Sequence, residues 1–188
     1  AWDADSGDGT VYQYNYSHNN GGGCIMICGV EAYRGVFRYN ISQNDLKGLI
    51  ALADSNPKAD IYNNVFYIGK DLGTTLFVGK SNYNGAAALK NNIFYNVSTN
   101  KSADETIVKA GRSFTNNIFY GYEGISLPQD SITDDPKFVS PGKAPVSSLQ
   151  GSLHERDVFD GYKLSADSPA INAGTLAGGG AKYDFFGN

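Results

Sequence analysis

The pentapeptides "NNVFY", "NNIFY" and "NNIFY" begin at Asn63, Asn91 and Asn116, and this recurrence constrains the chain more than any other feature of it. Aligned on the second Asn, the pattern extends back to "VFRYNISQ" around Asn40 and "VYQYNYSH" around Asn15. Successive aligned asparagines are then 25, 24, 28 and 25 residues apart. Three residues before each stands a large apolar group, in turn Tyr12, Phe37, Ile61, Leu89 and Phe114. Directly after each come Tyr16, Ile41, Val65, Ile93 and Ile118. The units also carry a second apolar run: "CIMIC", "LIALA", "TLFVG" and "TIVKAG".

Self-similarity at a fixed short period is the mark of stacked repeats. The chain holds 23 Gly, 18 Asn, 13 Tyr and 10 Phe in 188 residues. Gly and Asn tolerate left-handed backbone and Tyr and Phe favour strands, so each unit reads as two or three short strands joined by tight turns. No helix-length amphipathic stretch lies between them, which argues against alternating strands and helices. The expectation is an all-β parallel solenoid of about five coils, each stacked on the next at about 4.8 Å. Equivalent residues then lie above one another, and stacked Asn side chains can hydrogen-bond along the column, satisfying polar groups that are costly to bury.

With these phrases the chain resembles right-handed parallel β-helix proteins of the pectate-lyase-like type, over residues 11 to 122. "DPKFV" at Asp135–Val139, "YKLSADSPAINAG" at Tyr162–Gly174 and "DFFGN" at Asp184–Asn188 are similar to the closing segments of bacterial secreted β-helix proteins. The resemblance implies a secreted or cell-surface protein that acts on or binds polysaccharide. It does not choose a chemistry, because one solenoid carries lyases, hydrolases, adhesins and binding modules. Residues 1 to 122 are expected to form the coils. Residues 123 to 188, interrupted by Pro128, Pro136, Pro141, Pro145 and Pro169, are expected to wrap the last coil as a loop-rich cap of the same domain. "AWDADSGDG" enters the pattern without a capping helix, so further coils are expected upstream.

Charge and hydropathy narrow the partners. The net charge is −4, with no block of like charges, so neither nucleic acid nor an anionic membrane surface is expected as partner. No apolar run approaches the roughly 18 residues of a membrane span. Cys24 and Cys28 would sit about 13 Å apart along a strand at ~3.3 Å per residue, too far for a disulfide, and are expected as buried core thiols. A zinc site would lack its second ligand pair.

Three groups of residues are candidates for chemistry. Asp3, Asp5 and Asp8 on a Gly-rich loop offer oxygen ligands for Ca2+, although the third comes one residue late for a calcium loop. The same Asp3 and Asp5, with His18, are the candidates for acid and base in glycoside hydrolysis. His18 and His154 are the chain's two histidines, and no basic residue sits in a lyase pattern. The third group is a column three residues past the aligned Asn: His18, Gln43, Tyr67, Tyr95 and Tyr120. The Asn-Asn turn breaks the period of two, so alternation fits either parity, but Phe66, Phe94 and Phe119 are the more apolar column; with them inward, the tyrosines form an outward ladder on which pyranose rings stack while amides bond hydroxyls. Trp2, with Tyr12, Tyr14 and Tyr16, is a second aromatic cluster. Asn15, Asn40 and Asn96 begin Asn-x-Ser triplets, but the coil turn already accounts for them, and the two "GGG" runs lack the context of a nucleotide loop.

The reading favoured is a carbohydrate-binding β-helix module for a neutral plant polysaccharide such as xylan, in one precursor with a catalytic domain. The alternatives are the C-terminal part of a β-helix polysaccharide lyase or glycoside hydrolase, and a stalk without ligand.

Overall fold

A computed structural model of the chain describes residues 1–5, 7–28, 34–53, 58–79, 85–99, 107–108, 111–122, 125–143, 159–177 and 183–187. His154, Pro145 and the second "GGG" lie outside these. The first coil comprises β1 (Trp2–Asp5), β2 (Val11–Gln13) and β3 (Tyr16–His18). The second comprises β4 (Ile25–Cys28), β5 (Val36–Arg38) and β6 (Ile41–Gln43). The third is β7 (Gly48–Leu52), β8 (Ala59–Tyr62) and β9 (Val65–Ile68), and the fourth β10 (Thr75–Phe77), β11 (Ala87–Lys90) and β12 (Ile93–Asn96). A partial fifth adds β13 (Arg112–Thr115) and β14 (Ile118–Tyr120).

Each coil places one strand in each of three parallel sheets: β1-β4-β7-β10, β2-β5-β8-β11-β13 and β3-β6-β9-β12-β14. The chain is therefore an all-β parallel solenoid, as its period requires. The register follows the sequence alignment residue for residue. Tyr12, Phe37, Ile61, Leu89 and Phe114 pair in one row, and Tyr16, Ile41, Val65, Ile93 and Ile118 in another. The three extra residues of the 28-residue unit do not disturb this pairing.

Two internal columns hold the coils together. One is apolar: Phe66, Phe94 and Phe119 are buried and stack at 5.1 and 4.8 Å between ring centroids. Fully burying such a side chain stabilises by roughly 1.5–3 kcal/mol. The other is polar and runs through the aligned asparagines. Asn15, Asn40, Asn64 and Asn92 each direct both the backbone N–H and the side-chain NH2 to the Oδ1 of the next Asn, ending at Asn117, over 2.9–3.1 Å. Asn40 and Asn64 are thereby consumed by the coil turn.

In the first two coils the Phe column is replaced by Ser17 and Ser42, whose hydroxyls donate to the carboxylate of Asp45 at 2.6 and 2.7 Å. Asn20 adds its backbone N–H at 2.9 Å and its side-chain NH2 at 2.8 Å. Asp45 is fully buried, and these four donors replace the water it has lost. The thiols divide. Cys24 is buried, but Cys28 is only half-buried, because Cys24 precedes β4 and the alternation along the strand turns Met26 and Cys28 outward.

The C-terminal segment does more than cover the last coil. Ile132 pairs with Ile118 as a further rung of the third sheet. The chain then turns back, Phe138 bridging to Leu164 in antiparallel fashion, and runs along the outside of the stack. Tyr162 reaches the second coil, donating to Gln43 Oε1 at 2.5 Å. Tyr183 reaches the first, its carbonyl accepting from the Tyr14 hydroxyl at 2.6 Å.

Candidate functional site

Alternation along the third sheet sends the Phe column inward and Tyr67, Tyr95 and Tyr120 outward, as expected. The tyrosines form a continuous ladder, with centroids 5.6 Å apart at 17° and then 4.7 Å apart at 33°. The tail covers part of it. Phe138 lies 5.6 Å from Tyr95, and Tyr162 meets Tyr67 edge-on at 6.0 Å. Gly142, at φ +77°, passes so close that a Cβ there would stand 2.3 Å from the Tyr67 hydroxyl. Burial raises the Tyr67 phenol, and burial together with nearby Asp135 pushes Tyr95 up to about 12.

The other expected contacts are placed differently. Gln43 is buried, and both ends of its amide are engaged, Nε2 donating to the Lys143 carbonyl at 3.0 Å. His18 is half-buried on the ring of Tyr16, with Nδ1 3.2 Å from the Asn19 amide. Trp2 packs inward against the core, its ring 5.9 Å from Phe37, because alternation along β1 turns Trp2 and Ala4 to the inner face.

The acidic loop is divided as well. Asp3 and Asp5 lie on the outer face of β1, and the Cys28 thiol donates to both, 3.5 Å from one and 3.7 Å from the other. Burial and then these carboxylates push the thiol up to about 12. His18 stands on a different sheet of the same coil, so the Asp3–Asp5–His18 constellation is not assembled. Asp8 pairs with Arg34, whose hydrogen bond holds the carboxyl below its usual range. Asp3, Asp5 and Asp8 therefore do not form a Ca2+ donor set. Among the described residues no three His, Cys, Asp or Glu side chains converge as metal ligands.

What the structure does assemble is a groove. The residue before each ladder Asn is left-handed: Tyr14, Tyr39, Asn63, Asn91 and Asn116, with φ between 52° and 58°. Asn adopts this conformation readily and Tyr does so far less often, and the turn that seats the buried Asn imposes it on both. These side chains line up outside the coil. Between them and the returning tail lies a cleft of about 800 Å³.

Asn91 clamps the tail at two points, Nδ2 donating to the Thr175 carbonyl at 2.7 Å and Oδ1 accepting its N–H at 2.9 Å. Asn116 donates to the Ala173 carbonyl at 2.9 Å. Asn63 accepts from Asn91 at 3.0 Å, and its own NH2 has no partner among the described residues. At the same end Tyr39 stacks on Tyr14 at 5.5 Å, and Phe185 and Phe186 form the far wall. Lys163 is the cation of the groove; it pairs with Asp160 at 2.7 Å and lies 5.5 Å from the Phe186 ring. Aromatic faces, free amide donors and balanced charge suit an uncharged, hydroxyl-rich ligand.

The sequence carried a signal for half of this groove. The first Asn of each "NN" was legible as a repeat, but its outward direction follows from the left-handed turn. The other wall comes from residues 57 and 84 positions further along the chain, which no local pattern foretells.

Fold and groove together define a parallel β-solenoid whose flank and returning tail enclose a cleft lined mainly by aromatic and amide side chains. Over its whole length the chain is similar to a stretch of a lacto-N-biosidase from Bifidobacterium longum subsp. longum, 39% identical over 205 aligned residues. It spans 12% of that protein. No family model matches the chain.

Proposed function

We propose that this chain is a glycan-recognising β-solenoid portion of a larger carbohydrate-active enzyme, working outside the cell. The observation that carries the reading is the groove along the Tyr39–Asn63–Asn91–Asn116 column. Its aromatic faces and the unused Asn63 amide match a neutral sugar chain lying along the stack. Rungs repeat at about 4.8 Å, close to the spacing of successive sugar rings, so one chain meets several coils. The likeness to a glycoside hydrolase supports the carbohydrate context. Xylan and lacto-N-biose, the sugar in the relative's name, are two neutral ligands to compare. In this reading Tyr67 and Tyr95 anchor the tail that forms the groove's second wall, and a catalytic domain of the same precursor acts on the bound glycan.

A second reading rests on Asp3 and Asp5. One thiol touches both carboxylates, at 3.5 and 3.7 Å, which sets two carboxyl groups side by side as the paired acids of glycosidases are. In that case the chain contributes to hydrolysis itself.

Affinity electrophoresis in soluble xylan and lacto-N-biose competition, run beside a reducing-sugar assay, separates the two. Retardation without product, lost in Tyr39→Ala and Asn63→Ala, supports the groove. Product that vanishes in Asp3→Asn or Asp5→Asn supports hydrolysis and sinks the pure binding role. Retardation unchanged in both groove variants removes the groove.

A further inference from the structure

At the far end of the third sheet a second cavity opens, of about 620 Å³, where β12 and β14 run out into their turns. It falls within the roughly 300–1,000 Å³ of small-molecule sites. Among the described residues no charged side chain lines it. Tyr120 and Tyr122 supply aromatic surface, and Asn96, Thr99 and Thr133 supply polar edges.

One observation singles this cavity out. Asn96 is buried, only 7% exposed, yet its NH2 has no hydrogen-bond partner among the described residues. Its orientation is settled, because Oδ1 accepts the Ser98 backbone N–H at 2.9 Å and Nδ2 must therefore be the other arm. An amide donor on a side chain this buried, with no acceptor from the described residues, is free to donate to a group lying in the cavity. The close approach of Gly121 seats this cradle: at φ +79°, a Cβ there would lie 1.9 Å from the Asn96 carbonyl oxygen. The Tyr120 hydroxyl and the Thr133 hydroxyl likewise have no partner among the described residues.

We propose that this cavity is a second sugar-contact site, taking one neutral sugar residue whose hydroxyl or ring oxygen accepts from Asn96 while Tyr120 covers its apolar face. The neutral lining favours an uncharged sugar over a uronic acid, because among the described lining residues no cation pairs with a carboxylate. The site is separate from the groove. The two flank the third sheet at opposite ends of β12, about 10 Å apart over three residues at ~3.3 Å each. The choice of a sugar rests on the glycan-binding reading, but the site does not depend on the groove being occupied.

The test is a titration of the isotope-labelled full chain with xylohexaose and, separately, with lacto-N-biose, following the side-chain NH2 resonances of Asn96 and Asn63. The Asn96 resonance is expected to shift saturably with at least one sugar. Thr133→Val, an exposed change that spares the fold, and Tyr120→Leu should each weaken that shift about fivefold, the loss of roughly one hydrogen bond or stacking contact. Asn63→Ala should leave it unchanged. An Asn96 resonance unmoved by both sugars overturns the proposal, as does a shift that survives Thr133→Val and Tyr120→Leu intact. The Asn63 resonance reports the groove by itself, so movement of one without the other decides which site is real.

Discussion

The Oδ1 of Asn92 accepts both the backbone N–H of Asn64 at 3.1 Å and its side-chain NH2 at 2.9 Å. One amide oxygen thereby joins two coils at their sharpest bend. The Asn64 NH2 also donates to the carbonyls of Phe37 and Tyr62, so Asn64 closes its own turn and grips the coil on either side. Asn64→Ala should therefore cost several kcal/mol, about 3 or more, by leaving buried carbonyls and a buried N–H unpaired. Urea unfolding checks this, and Asn63→Ala one position earlier should cost well under half as much.

Asp45 is the corresponding hub of the first two coils. Asp45→Ala strands the Ser17 and Ser42 hydroxyls and the Asn20 donors in the interior, a loss of about 3 kcal/mol or more. Asp45→Asn keeps the shape but brings a donor where two hydroxyls already donate, and should fall between Asp45→Ala and wild type. Calorimetric melting of the three proteins gives the order.

The buried phenols make the fold sensitive to strong base. Burial pushes Tyr16 and Tyr95 from 10.0 up to about 12. A pKa raised in the folded state contributes stability that is complete below the unfolded value and lost as pH rises through the folded one. Stability should fall between about pH 10 and 12, with delayed phenolate absorbance. Tyr95→Phe should flatten that fall, and an identical pH profile in this variant would show that Tyr95 plays no part.

Cys28 should be an unreactive thiol despite its partial exposure. With burial and the Asp3 and Asp5 carboxylates pushing it up to about 12, it is protonated at pH 8, and alkylation requires the thiolate. Labelling by iodoacetamide should run at least about tenfold slower than for a free thiol. Asp3→Asn with Asp5→Asn should accelerate it, and an unchanged rate would mean that burial alone controls the sulfur.

Gly142→Ala tests the tail. The new Cβ would collide with the Tyr67 hydroxyl in a backbone conformation that already disfavours side chains, so the tail must lift there. Glycan retardation should weaken while the coils stay folded by circular dichroism, because the change moves one wall of the groove and leaves the Asn ladder alone.

Much of the architecture was legible from residues alone. The aligned asparagines and their neighbours gave the register of two sheets, because stacking puts equivalent residues in contact and selects the same side chain at each level. Inward Phe and outward Tyr were favoured by the greater hydrophobicity of Phe, since alternation by itself fits either parity and the Asn-Asn turn breaks the period of two. Local sequence did not show that Trp2 would turn inward to close the core, that Gln43 would be claimed by Tyr162, or that Asp8 would leave Asp3 and Asp5 for Arg34. Each of these depends on a partner from another coil or from the tail.

The coil is written in the residues alone: its period, its Asn ladder and its Phe column are nearest-neighbour properties of a stacked repeat. Where a ligand can lie depends on the path of the tail, which is set by long-range contacts: the groove takes one wall from it and the second cavity takes Thr133. Asn91 reaching Thr175 and Tyr162 reaching Gln43 are bonds between residues 84 and 119 positions apart, and no periodic pattern encodes them.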